Sequence, residues 1–85
     1  MNAKTDFFKT IEAAYSNQTP SEKRVSSWLL SNREQIPFET ADSIAQATGT
    51  SGITVGRYLR KLGFRNLEDV KNILRELPNT PYKHW

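Results

Sequence analysis

The segment that decides the fold of this 85-residue chain is TSGITVGRYLRKLG, at residues 50–63. At about 100° per residue, one face of a helix built from it is apolar. That face consists of Val55, Tyr58, Leu59 and Leu62. The pattern predicts an amphipathic helix over residues 52–62, capped by Ser51 or Thr50.

The segment just before it predicts a second short helix, over residues 41–48. Thr40 is its predicted N-cap, Ile44, Ala45 and Thr48 face inward, and Gly49 suits the left-handed position that ends a helix. The spacing of Ala45, Gly49 and Val55 is typical of two helices that cross closely after a tight turn. Together these features indicate a helix-turn-helix.

Acidic residues are absent between Asp42 and Glu68, whereas Arg57, Arg60, Lys61 and Arg65 all lie in that interval. The rest of the chain holds eight cations and nine anions, so the whole net charge of +3 belongs to this part. A helix face with charges of one sign favours a polyanionic partner, and the fold points to double-stranded DNA.

The remaining helices are predicted from apolar spacing and start signals. The first covers residues 6–15, with Thr5 or Asp6 as its cap, and the last covers residues 67–77, with Asn66 as its cap and Pro78 after it.

Between them, Thr19-Pro20-Ser21-Glu22 is a capping box that opens a helix over residues 20–32. The connector Ile36-Pro37-Phe38 is expected to place Ile36 and Phe38 in the core. Neither strand alternation nor an internal repeat is visible. The predicted fold is therefore an all-α five-helix bundle that contains a helix-turn-helix of homeodomain-like type.

Composition argues against several other classes of protein. The chain has no cysteine and one histidine, His84, which lies in the C-terminal tail away from any carboxylate pair or nucleophile. No phosphate-binding or metal-binding motif is present, so we expect no enzyme, no metal and no cofactor. No apolar run could span a membrane, the N-terminus does not read as a signal peptide, and a cytoplasmic location is expected.

The outer face of the predicted helix has the features needed to enter a DNA groove. It presents Gly52, Ile53, Gly56, Arg57, Arg60 and Lys61. Backbone N–H groups at Ser51 and Gly52 can meet a phosphate or a base edge, and the glycines allow close approach. The arginines can bind guanine or phosphate, and Ile53 can contact a thymine methyl.

Each of these features has a structural alternative. The three cations could form an ordinary solvated helix face, and Gly56 could serve close packing between helices. Ser51 is expected to cap the helix whether or not it also contacts phosphate. Tyr58 is expected to lie in the core and not to stack on a base.

The chain resembles the N-terminal DNA-binding domain of RpiR-type bacterial transcriptional regulators, over about residues 7–74. The resemblance lies in Thr19-Pro20-Ser21-Glu22-Lys23, in Ser43-Ile44-Ala45 with Gly49, and in the run that includes Thr54-Val55, Arg57-Tyr58 and Arg60-Lys61-Leu62-Gly63-Phe64. It implies that Ser51, Thr54 and Arg57 face DNA or phosphate and that Lys61 contacts the DNA backbone. Thr50 departs from the family, which usually has an apolar residue there.

The resemblance also implies a domain arrangement. Residues 1–77 would be the DNA-binding domain, and residues 78–85 a tail or linker toward a sugar-isomerase-type domain that binds a phosphosugar effector. The expected function is operator recognition as a homodimer. The alternative is a helical protein–protein interaction module in which the helix of Phe7 and Phe8, or the tail, docks a partner. Phe7, Phe8 and Ile11 could also pair across a dimer, and both interpretations would then hold.

Overall fold

The computed structural model describes residues 3–75, and their side chains from Asp6 onward. Five helices run through this part of the chain: α1 (Ala3–Ala14), α2 (Pro20–Ser31), α3 (Ala41–Thr48), α4 (Gly52–Lys61) and α5 (Leu67–Arg75). Single 3₁₀ turns lie at Tyr15–Asn17 and Ile36–Phe38. No strand occurs within residues 3–75, so the prediction of an all-α five-helix fold is confirmed.

Helices α2, α3 and α5 begin at the caps that the sequence predicts, as α4 also does. Thr19 Oγ1 accepts from the backbone N–H of Glu22 at 3.2 Å, and the Glu22 carboxylate accepts from the Thr19 N–H at 3.0 Å. Thr40 and Ser43 form the same reciprocal pair at the start of α3. Asn66 Oδ1 accepts from the Asp69 N–H at 3.0 Å at the start of α5.

The predicted start of the first helix is wrong. Helix α1 begins at Ala3, so Thr5 and Asp6 lie within it and neither is its N-cap. No proline or glycine precedes Asp6 to break the helix, which therefore extends one turn further toward the N-terminus. The predicted end of the last helix at Leu77, the stop at Pro78 and the tail at 78–85 lie outside the described residues.

The prediction for the connector is half right. Ile36 is fully buried, but Phe38 is 85% exposed, which contradicts its expected place in the core. Both residues belong to one 3₁₀ turn, in which residues two apart point in directions about 120° apart. Only one of them can face the core, and that one is Ile36.

The core draws on every helix and on the connector. Its members are Phe7, Phe8, Ile11, Val25, Leu29, Ile36, Ile44, Ala45, Val55, Tyr58, Leu59, Leu67, Val70 and Leu74. Phe7 packs edge-on against Phe8 and Phe64, with ring centroids 5.0 and 5.2 Å apart. Phe7, Phe8 and Ile11 are thus buried inside one chain, so the prediction that these side chains dock a partner or pair across a dimer is wrong. Docking by the tail falls outside the described residues.

Candidate nucleic-acid interface

The turn between α3 and α4 holds the two helices at a fixed angle. Gly49 has φ 71° and ψ 31°, a left-handed conformation that favours glycine, as predicted. The N–H groups of Gly49 and Thr50 both donate to the carbonyl of Ala45, the latter at 2.9 Å. The Thr50 hydroxyl lies 2.9 Å from that of the buried Thr48, so the turn accommodates a polar residue where the family usually has an apolar one.

Helix α4 begins as the sequence predicts, with Ser51 as its cap. Ser51 Oγ accepts from the backbone N–H of Thr54 at 3.1 Å, and the hydroxyls of the two residues lie 3.0 Å apart. Ser51 is exposed and Thr54 is half-buried, so both residues lie at the protein surface at the N-terminal end of α4. The backbone N–H groups of the first turn point away from the helix body at this end.

The inner face of α4 is fixed by packing and by a buried polar contact. Val55, Tyr58 and Leu59 are each 1% exposed. The Ser26 hydroxyl of α2 donates to Gln18 Oε1 at 2.6 Å, so the Tyr58 hydroxyl, also at 2.6 Å, is the donor to Ser26. Burial raises the pKa of Tyr58 to about 12, which keeps this donor protonated. Tyr58 is therefore a core residue, as expected.

The outer face of α4 presents an apolar and a cationic group side by side. Ile53 is 69% exposed, and Arg57 and Arg60 are exposed as well. Within residues 6–75, neither arginine forms a salt bridge. Two guanidinium groups without a carboxylate partner are available here for an anion or a guanine edge.

Gly56 lies on this outer face and not at a helix crossing. A Cβ built at Gly56 would be 3.5 Å from Nη1 and 3.8 Å from Nη2 of Arg60, both ordinary contact distances. No other helix approaches that position, so the alternative that Gly56 serves close helix packing is wrong. Because Gly56 has no side chain, the backbone of α4 is uncovered at the centre of the outer face, and the Arg60 guanidinium lies beside it.

The prediction that the acid-free segment forms a surface with charges of one sign is only partly right. Lys61 Nζ lies 3.2 Å from Glu22 Oε1, and Arg65 Nη2 lies 3.2 Å from Asp69 Oδ1. Both acids come from outside the segment, and tertiary packing brings them to it. The excess positive charge on α4 reduces to Arg57 and Arg60, whereas Lys61 would have to share its ammonium with Glu22 to contact DNA.

The pKa of Glu22 reflects this double use of one carboxylate. Its hydrogen bond from the Thr19 N–H, and then its contact with Lys61, hold the pKa of Glu22 below the ordinary value. Glu22 thus serves both the start of α2 and the end of α4. Sequence reasoning found only the first role, because residues 22 and 61 are far apart in the chain.

Asp42 is the residue of this surface that sequence reasoning missed. Its carboxylate, on the first turn of α3, lies against Gly52, the first residue of α4: a Cβ built at Gly52 would be 2.7 Å from Asp42 Oδ1. The predicted DNA-facing residues at the start of α4 therefore have an acid among them. The only sequence signal was the pairing of a first-turn acid with a glycine ten residues later.

Across the described residues, no group of three or more His, Cys, Asp or Glu side chains is placed to hold a metal ion. In the same part of the chain, no helix has the length and apolar character needed to cross a membrane.

The fold and the arrangement of α3 and α4 define a helix-turn-helix domain. A family model described as "Helix-turn-helix domain, rpiR family" matches residues 5–77, and the chain belongs to this family. No curated protein matches the chain.

A solved structure shows the same fold. It is the crystal structure of the N-terminal domain of the "putative transcriptional regulator ybbH" from Bacillus subtilis subsp. subtilis str. 168. The two are 19% identical over 87% of this chain and 87% of that chain, with a TM-score of 0.75.

Proposed function

We propose that this chain is the sequence-specific DNA-binding domain of a bacterial RpiR-type transcriptional regulator, which reads operator DNA with α4. The observation that supports this most is the outer face of α4. There, Ile53, Arg57 and Arg60 are exposed around Gly56, which has no side chain to cover the helix backbone. Family membership supports the same role, as does the description of the ybbH protein as a transcriptional regulator.

In this proposal α4 enters the major groove and α3 lies across the backbone, as in other helix-turn-helix proteins. Arg57 and Arg60 contact phosphate or guanine, and Ile53 contacts a thymine methyl. Ser51 and Thr54 face the DNA at the start of α4, and Lys61 lies toward a flanking phosphate. The buried hydrogen bond between Tyr58 and Ser26 holds α4 against α2, which preorganises the contacts.

The regulator would act as a homodimer on a two-fold related operator, since paired half-sites are the usual arrangement for this motif. Residues 1–77 form the DNA-binding domain in this proposal, and residues 78–85 lead toward a separate domain that binds a phosphosugar effector. The role is one of binding and not of catalysis, and it places the protein in the cytoplasm, with the chromosome.

The test is the affinity for a fluorescent DNA duplex, measured by anisotropy between 50 and 200 mM salt. If Arg57 and Arg60 each neutralise one phosphate, the slope of log K against log salt is about −1.8 for a monomer and about −3.6 for a dimer. Over this fourfold rise in salt, affinity then falls about 12-fold or about 150-fold.

Two variants locate the contact. Arg57→Ala should weaken binding about tenfold or more, as expected for the loss of one bidentate contact. Lys9→Ala removes one positive charge from the exposed surface of α1 and should leave affinity nearly unchanged. Affinity that responds neither to salt nor to Arg57→Ala would rule out the proposal.

A further inference from the structure

The carboxylate of Asp42 lies at the point where α4 would meet DNA. Asp42 is the second residue of α3, it is exposed, and Oδ1 lies 2.7 Å from the position that a Cβ of Gly52 would occupy. Because the two residues are this close, a base that contacts Gly52 would lie near this carboxylate.

The carboxylate is not needed to cap α3. Thr40 Oγ1 accepts from the Ser43 N–H at 3.0 Å, and Ser43 Oγ accepts from the Thr40 N–H at 2.9 Å, so the capping box is complete without Asp42. Within residues 6–75, Asp42 takes part in no salt bridge. Its acceptor oxygens are available to an outside donor.

A negative group at this place changes what the start of α4 can bind. The free N–H groups of a helix N-terminus ordinarily attract phosphate, but a carboxylate beside them repels it. An amino group on a base edge is attracted instead. In the major groove, the cytosine N4 amino group is the donor that aspartate recognises, whereas the adenine amino group has the N7 acceptor beside it.

We propose that Asp42 is a specificity-determining residue that accepts a hydrogen bond from a cytosine amino group at the base pair facing Gly52. This inference rests on the proposed DNA-binding function and adds a base preference to it. Gly52 is part of the arrangement, because a methyl group there would displace the carboxylate from its position.

The experiment selects bound sequences from a random duplex pool with the wild-type chain, with Asp42→Asn and with Asp6→Asn. Asp6→Asn makes the same charge change at an exposed residue of α1 and is the matched control. The wild type and Asp6→Asn should enrich the same motif. Asp42→Asn should lose cytosine at one position of each half-site, about tenfold or more in discrimination, and shift toward adenine, which asparagine recognises.

Three results would overturn the inference, and they differ in what else they overturn. If the wild type enriches a motif and Asp42→Asn enriches the same one, Asp42 does not read a base, although the domain binds DNA specifically. The same motif with a lower melting temperature would show that Asp42 only stabilises the start of α3. If the wild type enriches no motif, the proposed function fails and this inference fails with it.

Discussion

Gly56→Ala should stabilise the domain and weaken its binding to DNA. Gly56 is the fifth residue of the ten-residue α4, so it occupies a helix interior, where glycine is about 1 kcal/mol less favourable than alanine. The added Cβ would meet only the Arg60 guanidinium, at 3.5 Å, so no strain offsets the gain. For a domain of this size, a gain of about 1 kcal/mol raises the melting temperature by about 4–8 °C.

The same methyl group should lower affinity for DNA. It would stand at the centre of the outer face, between the backbone of α4 and the groove. We expect a loss of about tenfold or more in affinity, similar to the loss of one good base contact. A glycine that lowers stability in the free protein and raises affinity for DNA is expected at a binding surface.

Circular dichroism during heating measures the first effect, and fluorescence anisotropy with duplex DNA measures the second. The matched control is Gly49→Ala, which places a side chain at φ 71° and should lower the melting temperature instead. A melting temperature of Gly56→Ala at or below the wild-type value would refute the conclusion that Gly56 lies in a helix interior with room for a methyl group. A raised melting temperature with unchanged affinity would refute close approach of Gly56 to DNA.

Three further predictions concern the elements that position α4. Thr40→Ala should lower the free energy of unfolding by about 1 kcal/mol in urea denaturation, since it removes the N-cap of α3; no change would contradict that cap. Tyr58→Phe should lower it by about 1 kcal/mol, because the Ser26 hydroxyl loses a buried donor; a neutral effect would show that this contact does not stabilise the fold. Because the pKa of Glu22 is depressed in the folded state, its stabilisation is complete above the unfolded pKa and is lost as pH falls through the folded pKa. Urea titrations between about pH 5 and 3 should therefore show a smaller loss of stability for Glu22→Gln than for the wild type; equal slopes would contradict a depressed pKa.

Local signals were sufficient for most of the fold. The caps at Thr19, Thr40 and Ser51 and the left-handed Gly49 depend on residues within three or four positions of each other, which a sequence shows directly. The apolar stripe of α4 likewise fixed its inner face. The start of α1 was missed because no residue there breaks a helix. Phe38 was misplaced because the connector forms a 3₁₀ turn, in which residues two apart face different directions.

The site was less predictable, because its electrostatics depend on residues distant in sequence. The acid-free segment suggested four free cations, yet Glu22 from α2 and Asp69 from α5 pair with two of them. Asp42 reaches the start of α4 only through the crossing of α3 and α4. Helix spacing cannot reveal such neighbours, since they are set by how the helices pack.

The most direct test of DNA recognition by α4 is to map the DNA-binding surface by nuclear magnetic resonance. Amide chemical shifts of the ¹⁵N-labelled chain would be followed while a DNA duplex is added. If α4 enters the groove, the largest changes occur at Gly52, Ile53 and Arg57, with little change on the outer surface of α1. Changes centred on exposed Phe38, or none along α4, would contradict it.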